Sequence, residues 1–93
     1  MDISVEDNGA AARYEARAGD ELAGSAEYRL SDGTVTFTHT VVDDAFEGQG
    51  VGSALARRAL DDARERGLGV VPQCSFIRDW IDKHPDYQDL VVS

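Results

Sequence analysis

The sequence predicts an α+β fold, one domain over residues 1–93 with the element order β-β-β-β-α-β-α. Three observations predict it. Up to about residue 42, apolar side chains recur at period two between compact turn signals, the pattern of an antiparallel meander. From Gly50 onward the period changes to that of a helix. A short apolar segment, residues 68–71, then precedes a second helical pattern. Tight turns between the first four strands, followed by one strand–helix–strand crossover, describe a sheet with a helix on at least one face.

Each element has its own justification. Ile3 and Val5 alternate with polar neighbours in the first strand, and Asp7-Asn8-Gly9 turns the chain. The second strand, about 11–18, puts Tyr14, Ala16 and Ala18 on one face, and Gly19-Asp20 is the next hairpin turn. The third, about 21–30, carries Leu22, Gly24, Ala26, Tyr28 and Leu30 on one face. Ser31-Asp32-Gly33 turns again. The fourth strand, about 34–42, alternates Val35, Phe37, His39 and Val41 against four threonines, Thr34, Thr36, Thr38 and Thr40. Residues 43–49 form a loop. The helix from residue 50 or 51 to 66 has Val51, Leu55, Ala56, Ala59, Leu60 and Ala63 in one stripe. Arg57 with Asp61, Arg58 with Asp62, and Asp62 with Arg66 are spaced for i,i+4 pairs on its outer face. Gly67 suits the position after its last turn. Pro72 suits the end of the fifth strand. Residues 75–84 show helical spacing through Phe76, Ile77, Trp80 and Ile81, and Pro85 stops them. Tyr87, Leu90, Val91 and Val92 form a tail expected to pack back.

Composition narrows the function classes. Eighteen acidic residues against nine basic ones leave a formal charge of −9. Direct nucleic-acid binding is not expected, because phosphate contacts need a basic face. An acidic surface favours basic partners, such as a small-molecule amine or a Lys-rich protein, although the same charge also serves solubility. The single cysteine, Cys74, forms no internal disulfide, and no zinc set surrounds it in sequence, so no metal is expected. No apolar run approaches the roughly 20 residues of a membrane span. The first residues lack the charged and apolar regions of a secretory signal. A soluble, cytoplasmic protein with no membrane partner is the expectation.

The most informative segment is Phe46-Glu47-Gly48-Gln49-Gly50-Val51-Gly52-Ser53. Three glycines at alternate positions lead into a helix. Glycine lets peptide N–H groups converge on a ligand, and a helix N-terminus adds positive potential. The pattern points to a phosphate or pyrophosphate site. A P-loop would need Gly-Lys followed by Ser or Thr, and no lysine is present here. A dinucleotide fingerprint would put Ser53 in place of its third glycine and needs a parallel βαβ start, which the meander does not offer.

Thr40-Val41-Val42-Asp43-Asp44-Ala45-Phe46-Glu47-Gly48-Gln49-Gly50-Val51-Gly52, with the helix behind it, resembles the acetyl-CoA loop of the GNAT superfamily of N-acetyltransferases. That motif reads Arg/Gln-x-x-Gly-x-Gly/Ala. Together with His39-Thr40, Val70-Val71-Pro72, Cys74 and His84-Pro85-Asp86-Tyr87, the chain is similar to the small YjdJ-type branch, a minimal GNAT domain, over residues 39–91. The resemblance implies a GNAT-like core, acetyl-CoA as cofactor, and transfer of an acetyl group to an amine. Backbone N–H groups of Gly48, Gln49, Gly50, Val51, Gly52 and Ser53 would hold the pyrophosphate of CoA. The backbone of Val41 and Val42 would pair with its pantetheine arm like an added strand. Glu47 departs from the motif and is expected to point to solvent.

Cys74 follows a strand end and opens a helix, a placement that can lower a thiol pKa. In this setting it either accepts the acetyl group covalently or assists near the CoA sulfur. His39, on the Phe37 face of its strand, is the candidate general base, the alternative being a core or surface histidine. Arg57 and Arg58 are placed either to reach a nucleotide phosphate or to pair along their helix. Tyr87 either closes the site or packs in the core. His84 reads as a helix C-terminal cation and Trp80 as core. The alternative to an enzyme is a non-catalytic CoA- or acyl-CoA-binding module or partner subunit.

Overall fold

β1 (Ile3–Asn8), β2 (Arg13–Ala18), β3 (Glu21–Ser31) and β4 (Thr34–Val42) form an antiparallel meander in the computed structural model, which describes residues 2–92. α1 (Val51–Glu65) crosses one face and leads into β5 (Gly69–Pro72), which pairs parallel with β4. Strand order in the sheet is therefore chain order. α2 (Ser75–Asp82) and a 3-10 segment, Pro85–Leu90, follow, and Val91 bridges to Val70 beside β5. The α+β class and the predicted order of strands and helices hold. No described helix is long and apolar enough to cross a membrane.

The core lies between the sheet and the apolar stripe of α1. Val51, Leu55, Ala56, Ala59, Leu60 and Ala63 are all buried, as their spacing predicts. Small residues on the strands, Ala16, Ala26 and Gly24, let the helix approach closely. At Gly24 a Cβ would lie 2.7 Å from the Val41 carbonyl oxygen and 3.0 Å from Val51 Cγ1, so only glycine lets the first turn of α1 seat there. Arg58 Nη1 donates to the Val5 carbonyl oxygen at 2.7 Å and ties α1 to the edge strand.

Two tyrosines in this layer carry polar ends. Their rings lie 5.4 Å apart, and Tyr14 donates to Asp62 Oδ2 at 3.0 Å, Tyr28 to Asp7 Oδ1 at 2.5 Å. Burial, then the hydrogen bond to Asp7, pushes the Tyr28 phenol up to about 12, and burial with Asp62 raises Tyr14 further. A raised phenol pKa favours the protonated form in the folded state. The corresponding stability is complete below about pH 10, the unfolded value, and is lost as pH rises through the folded one. Urea midpoints should therefore stay level from pH 8 to about 9.5 and fall steeply toward pH 12. In a Tyr14→Phe, Tyr28→Phe protein that decline should be shallower.

Two β-bulges overturn parts of the period-two reading. In β3 the register jumps so that Ala16 faces Gly24 while Arg17 faces Leu22, leaving Ala23 as the extra residue. Ala23 is buried, and Leu22, expected on the core face, turns outward at 38% exposure. In β4 Thr38 is extra: Glu27 pairs with His39, and Tyr28 with Phe37. An inserted residue reverses the alternation beyond it. Phe37 is buried, but His39 and Val41 do not share its face; both are exposed on the side away from α1. Thr40 and Val42, opposite Ala26 and Gly24, take the inner side instead.

Of the three predicted i,i+4 pairs only Arg58–Asp62 forms, at 3.3 Å. Asp61 accepts the Tyr87 hydroxyl, Arg66 reaches Asp7 at 3.9 Å, and Arg57 lies over the Trp80 ring. An exposed helical pair is worth only about 0.3–0.5 kcal/mol, so partners from other elements displace it.

Candidate functional site

The loop between β4 and α1 is built from its own backbone. Asp43 Oδ1 accepts the Ala45 N–H at 2.9 Å and starts a 3-10 turn, Asp44–Phe46, whose Phe46 is buried. Gln49 N–H donates back to the Phe46 carbonyl oxygen at 3.3 Å. Gly48 and Gly50 both have φ of 80°, the left-handed region that side chains rarely enter. Gly50 then precedes α1 with no side-chain cap. The N–H groups of Gly48, Gly50, Val51, Gly52 and Ser53 consequently have no acceptor among the described residues.

A cleft of about 510 Å³ opens over these groups. Six residues singled out from the sequence line it: Val42, Gly48, Gly50, Val51, Gly52 and Ser53. Gln49 and Val41 do not; the Gln49 N–H is already used, and Val41 faces the far side of the sheet. Phe46 forms part of the floor, and Phe76 from α2 lies across the first turn of α1. A Cβ at Gly52 would sit 2.5 Å from Phe76 Cζ, so this third glycine is needed for ring packing rather than for φ. Glu47 is exposed, as expected, yet it also borders the cleft and is the only charged side chain among the described residues that does. Attraction for an anion here rests on peptide N–H groups and the helix terminus.

The cleft leads to a free strand edge. β5 covers β4 only along Thr34–Phe37, after which the chain turns away and Cys74 N–H donates to the Phe37 carbonyl oxygen at 2.9 Å. Among the described residues, no strand flanks residues 38–42 on that side. The Asp43 N–H bonds the Ala23 carbonyl oxygen at 2.8 Å, which fixes the hydrogen-bonding phase of the β3–β4 ladder. In an antiparallel pair that phase alternates. Val41 thus directs its peptide groups at β3, whereas Val42 and Thr40 direct theirs at the free edge. The sequence reading paired Val41 with Val42; the register pairs Thr40 with Val42.

Cys74 is buried at the N-terminal end of α2, on this same edge. Its Sγ donates to Thr40 Oγ1 at 3.2 Å. Thr40 is two residues from Val42, about 7 Å along the strand at ~3.3 Å per residue. His39 is not brought to Cys74. It points off the opposite face, largely exposed, with Nδ1 3.9 Å from Glu27 Oε1 across the strands. Tyr87 also stays out of the cleft. Its hydroxyl donates to Asp61 Oδ1 at 2.7 Å, a bond that raises the phenol pKa, and its ring packs 5.2 Å from Trp80. Arg58 is occupied by Asp62 and Val5. Thr40 is the residue that sequence reasoning missed. Thr40 opened the loop segment and stood in the pair His39-Thr40, yet neither gave its side chain a role, because the bulge that turns it inward leaves no mark in the period-two pattern.

Known proteins are similar to this chain in sequence and in fold. A family model described as GCN5-related N-acetyl-transferase matches residues 13–90. Protein NATD1 of Xenopus tropicalis is 36% identical over 52 residues, covering 56% of this chain and 48% of that protein. Protein NATD1 of Homo sapiens is 35% identical over 51 residues, covering 55% and 45%. The chain thus spans about half the length of the curated relatives it matches. The solution structure of a GCN5-like protein from Staphylococcus aureus, described as a candidate N-acetyltransferase, superposes with a TM-score of 0.72 at 27% identity, covering 100% of this chain and 89% of that one. The crystal structure of Ard1 from Thermoplasma volcanium has a TM-score of 0.56 at 24% identity over 61% of this chain and 39% of its own, a likeness of fold.

Proposed function

Because this chain belongs to the GCN5-related N-acetyltransferase family, we propose that it transfers the acetyl group of acetyl-CoA to an amine. The observation that carries the reading is the set of N–H groups without an acceptor among the described residues on Gly48, Gly50, Val51, Gly52 and Ser53, all of which line one cleft together with Val42 at the end of β4. Acetyl-CoA would supply an acetyl thioester at the end of a pyrophosphate-linked arm. The five N–H groups suit the pyrophosphate, since each contributes a charge-assisted hydrogen bond to an anion. The peptide groups of Val42 and Thr40 suit the amides of the pantetheine arm as an added strand. An N–H on that edge also suits an acetyl oxygen that gains negative charge.

Two routes fit the residues. In one, the amine attacks the acetyl carbonyl directly and the CoA thiol leaves. In the other, the Cys74 sulfur attacks as its proton passes to the departing CoA thiolate, and the neutral amine then attacks acetyl-Cys74, its N–H proton going to the Cys74 thiolate as the thioester C–S bond breaks. Thr40, bonded to Sγ, holds the thiol at the strand edge in that case. The formal charge of −9 supports a cationic acceptor, a small-molecule amine or a Lys-rich protein segment, over a nucleic acid. A second reading, a CoA-binding module without turnover, is favoured by the position of His39, which faces away from Cys74.

Titration with CoA should shift the backbone amide signals of Gly48, Gly50, Val51, Gly52, Ser53 and Val42, and silence at these positions would refute the CoA reading. Mass spectrometry after incubation with acetyl-CoA should find one acetyl group on Cys74 if the covalent route operates. Undiminished turnover by Cys74→Ala would leave the direct route. Saturable CoA binding with no transfer across a panel of amines would select the binding module.

A further inference from the structure

A second cleft, of about 350 Å³, shares Ser53 and Phe76 with the first and continues from it along α2. We propose that this cleft takes the phosphorylated nucleoside end of the donor, with Lys83 as the residue that selects a ribose 3′-phosphate. The inference rests on the acetyl-CoA reading above and extends it to a specificity-determining side chain.

Charge gives the first reason. Of nine Lys and Arg residues, Arg13, Arg17, Arg58, Arg64 and Arg66 are held by carboxylates. Among the described residues the other four, Arg29, Arg57, Arg78 and Lys83, form no ion pair. Two of those four meet at Trp80: Lys83 lines the second cleft, and the Arg57 guanidinium lies 5.5 Å from the Trp80 ring centroid. In a protein of formal charge −9, Lys83 and Arg57 bring positive charge to a cleft whose single lining carboxylate among the described residues is Asp79. A phosphate monoester brings about −1.5 to −2 charges at neutral pH and answers it.

The wall of the cleft is rigid. Trp80 Nε1 donates to Ser53 Oγ at 3.3 Å, joining α2 to the first turn of α1. The His84 ring stacks on Trp80 with centroids 3.6 Å apart and an interplanar angle of 11°. Its Nδ1–H donates to the Trp80 carbonyl oxygen at 2.6 Å, so only Nε2 is left for a ligand. Phe76 stands between the clefts and keeps 39% of its surface exposed, a ring face on which a nucleobase can stack. Asp79 also lines the cleft and opposes an anion. It stands one helical turn before Lys83, and a phosphate is therefore favoured at the Lys83 end.

Calorimetry on the full chain with CoA and dephospho-CoA, which differ only in the 3′-phosphate, tests the assignment. The parent protein should bind CoA about 10-fold more tightly, the scale of one charge-assisted contact. Lys83→Met should bring the two ligands within about 2-fold by weakening CoA alone, Lys83→Arg should keep the preference, and Asp79→Asn should widen it. A parent protein that does not discriminate, or a preference unchanged in Lys83→Met, overturns the proposal. Amide mapping separates the two levels. CoA-induced shifts at residues 48–53 with none at 79–84 overturn this proposal and leave the acetyl-CoA reading standing. No shift at either overturns both.

Discussion

Replacing Gly50 by valine is expected to lower CoA affinity about 100-fold and to cost ~1–2 kcal/mol of stability. Gly50 sits at φ 80° and ψ 16°, immediately before α1. No heavy atom lies within 4 Å of where its Cβ would stand, so the effect is one of backbone conformation and not of crowding. A β-branched residue is strained in the left-handed region and would rotate the peptide toward an ordinary conformation. That rotation turns the N–H groups of Gly50 and Val51 out of the cleft. Hydrogen bonds to charged groups are each worth about 1.5–3 kcal/mol, and losing two at the low end of that range corresponds to a change on the order of 100-fold. Calorimetric titration with CoA measures the first effect and urea unfolding the second. If the variant binds CoA as the parent does, the backbone cradle is not what holds the phosphates. Gly52→Ala provides the contrast, since it displaces the Phe76 ring and leaves the backbone path unchanged.

Phe37→Ala should have the largest effect on folding, ~3–5 kcal/mol. A chain of 93 residues has a total stability of about 5–14 kcal/mol at 0.05–0.15 kcal/mol per residue, so the variant approaches the limit of folding. Phe37 is 1% exposed, and its backbone pairs with Tyr28 on one side and Pro72 on the other. Its carbonyl oxygen also accepts the Cys74 N–H, at the point where β4 and β5 part. The cavity would thus open beneath the corner that seats Cys74 and Thr40. Thermal unfolding followed by circular dichroism should show a fall of roughly 15–30 °C. A loss below about 1 kcal/mol would mean that the core collapses around the gap and that Phe37 does not set this corner.

Much of the architecture was legible in the chain, for a local reason. The stripe from Val51 to Ala63 and the turn at Asp32-Gly33 are each set by spacing or by a residue with few conformations, and each stands where the pattern put it. In contrast, α2 ends at Asp82, short of the expected 84, and Pro85 opens the 3-10 segment that follows. The glycine loop was legible on the same basis, because Gly48 and Gly50 adopt the left-handed conformations that make glycine necessary. What escaped were the contacts between elements. The carboxylates of α1 were assigned partners along their own helix and found Tyr87 and Tyr14 from elsewhere. The stack of Trp80 on His84 and the tie from Trp80 to Ser53 join residues that no periodicity connects.

By itself, the sequence determined the succession of elements and the glycine-built turn of the loop, because periodicity and glycine conformation act over a few neighbouring residues. Only the tertiary structure decided which β4 side chain meets Cys74. Side-chain direction in a strand depends on pairing with its neighbour, and one extra residue at Thr38 reverses everything beyond it. That insertion turns His39 out to solvent and brings Thr40 to the thiol.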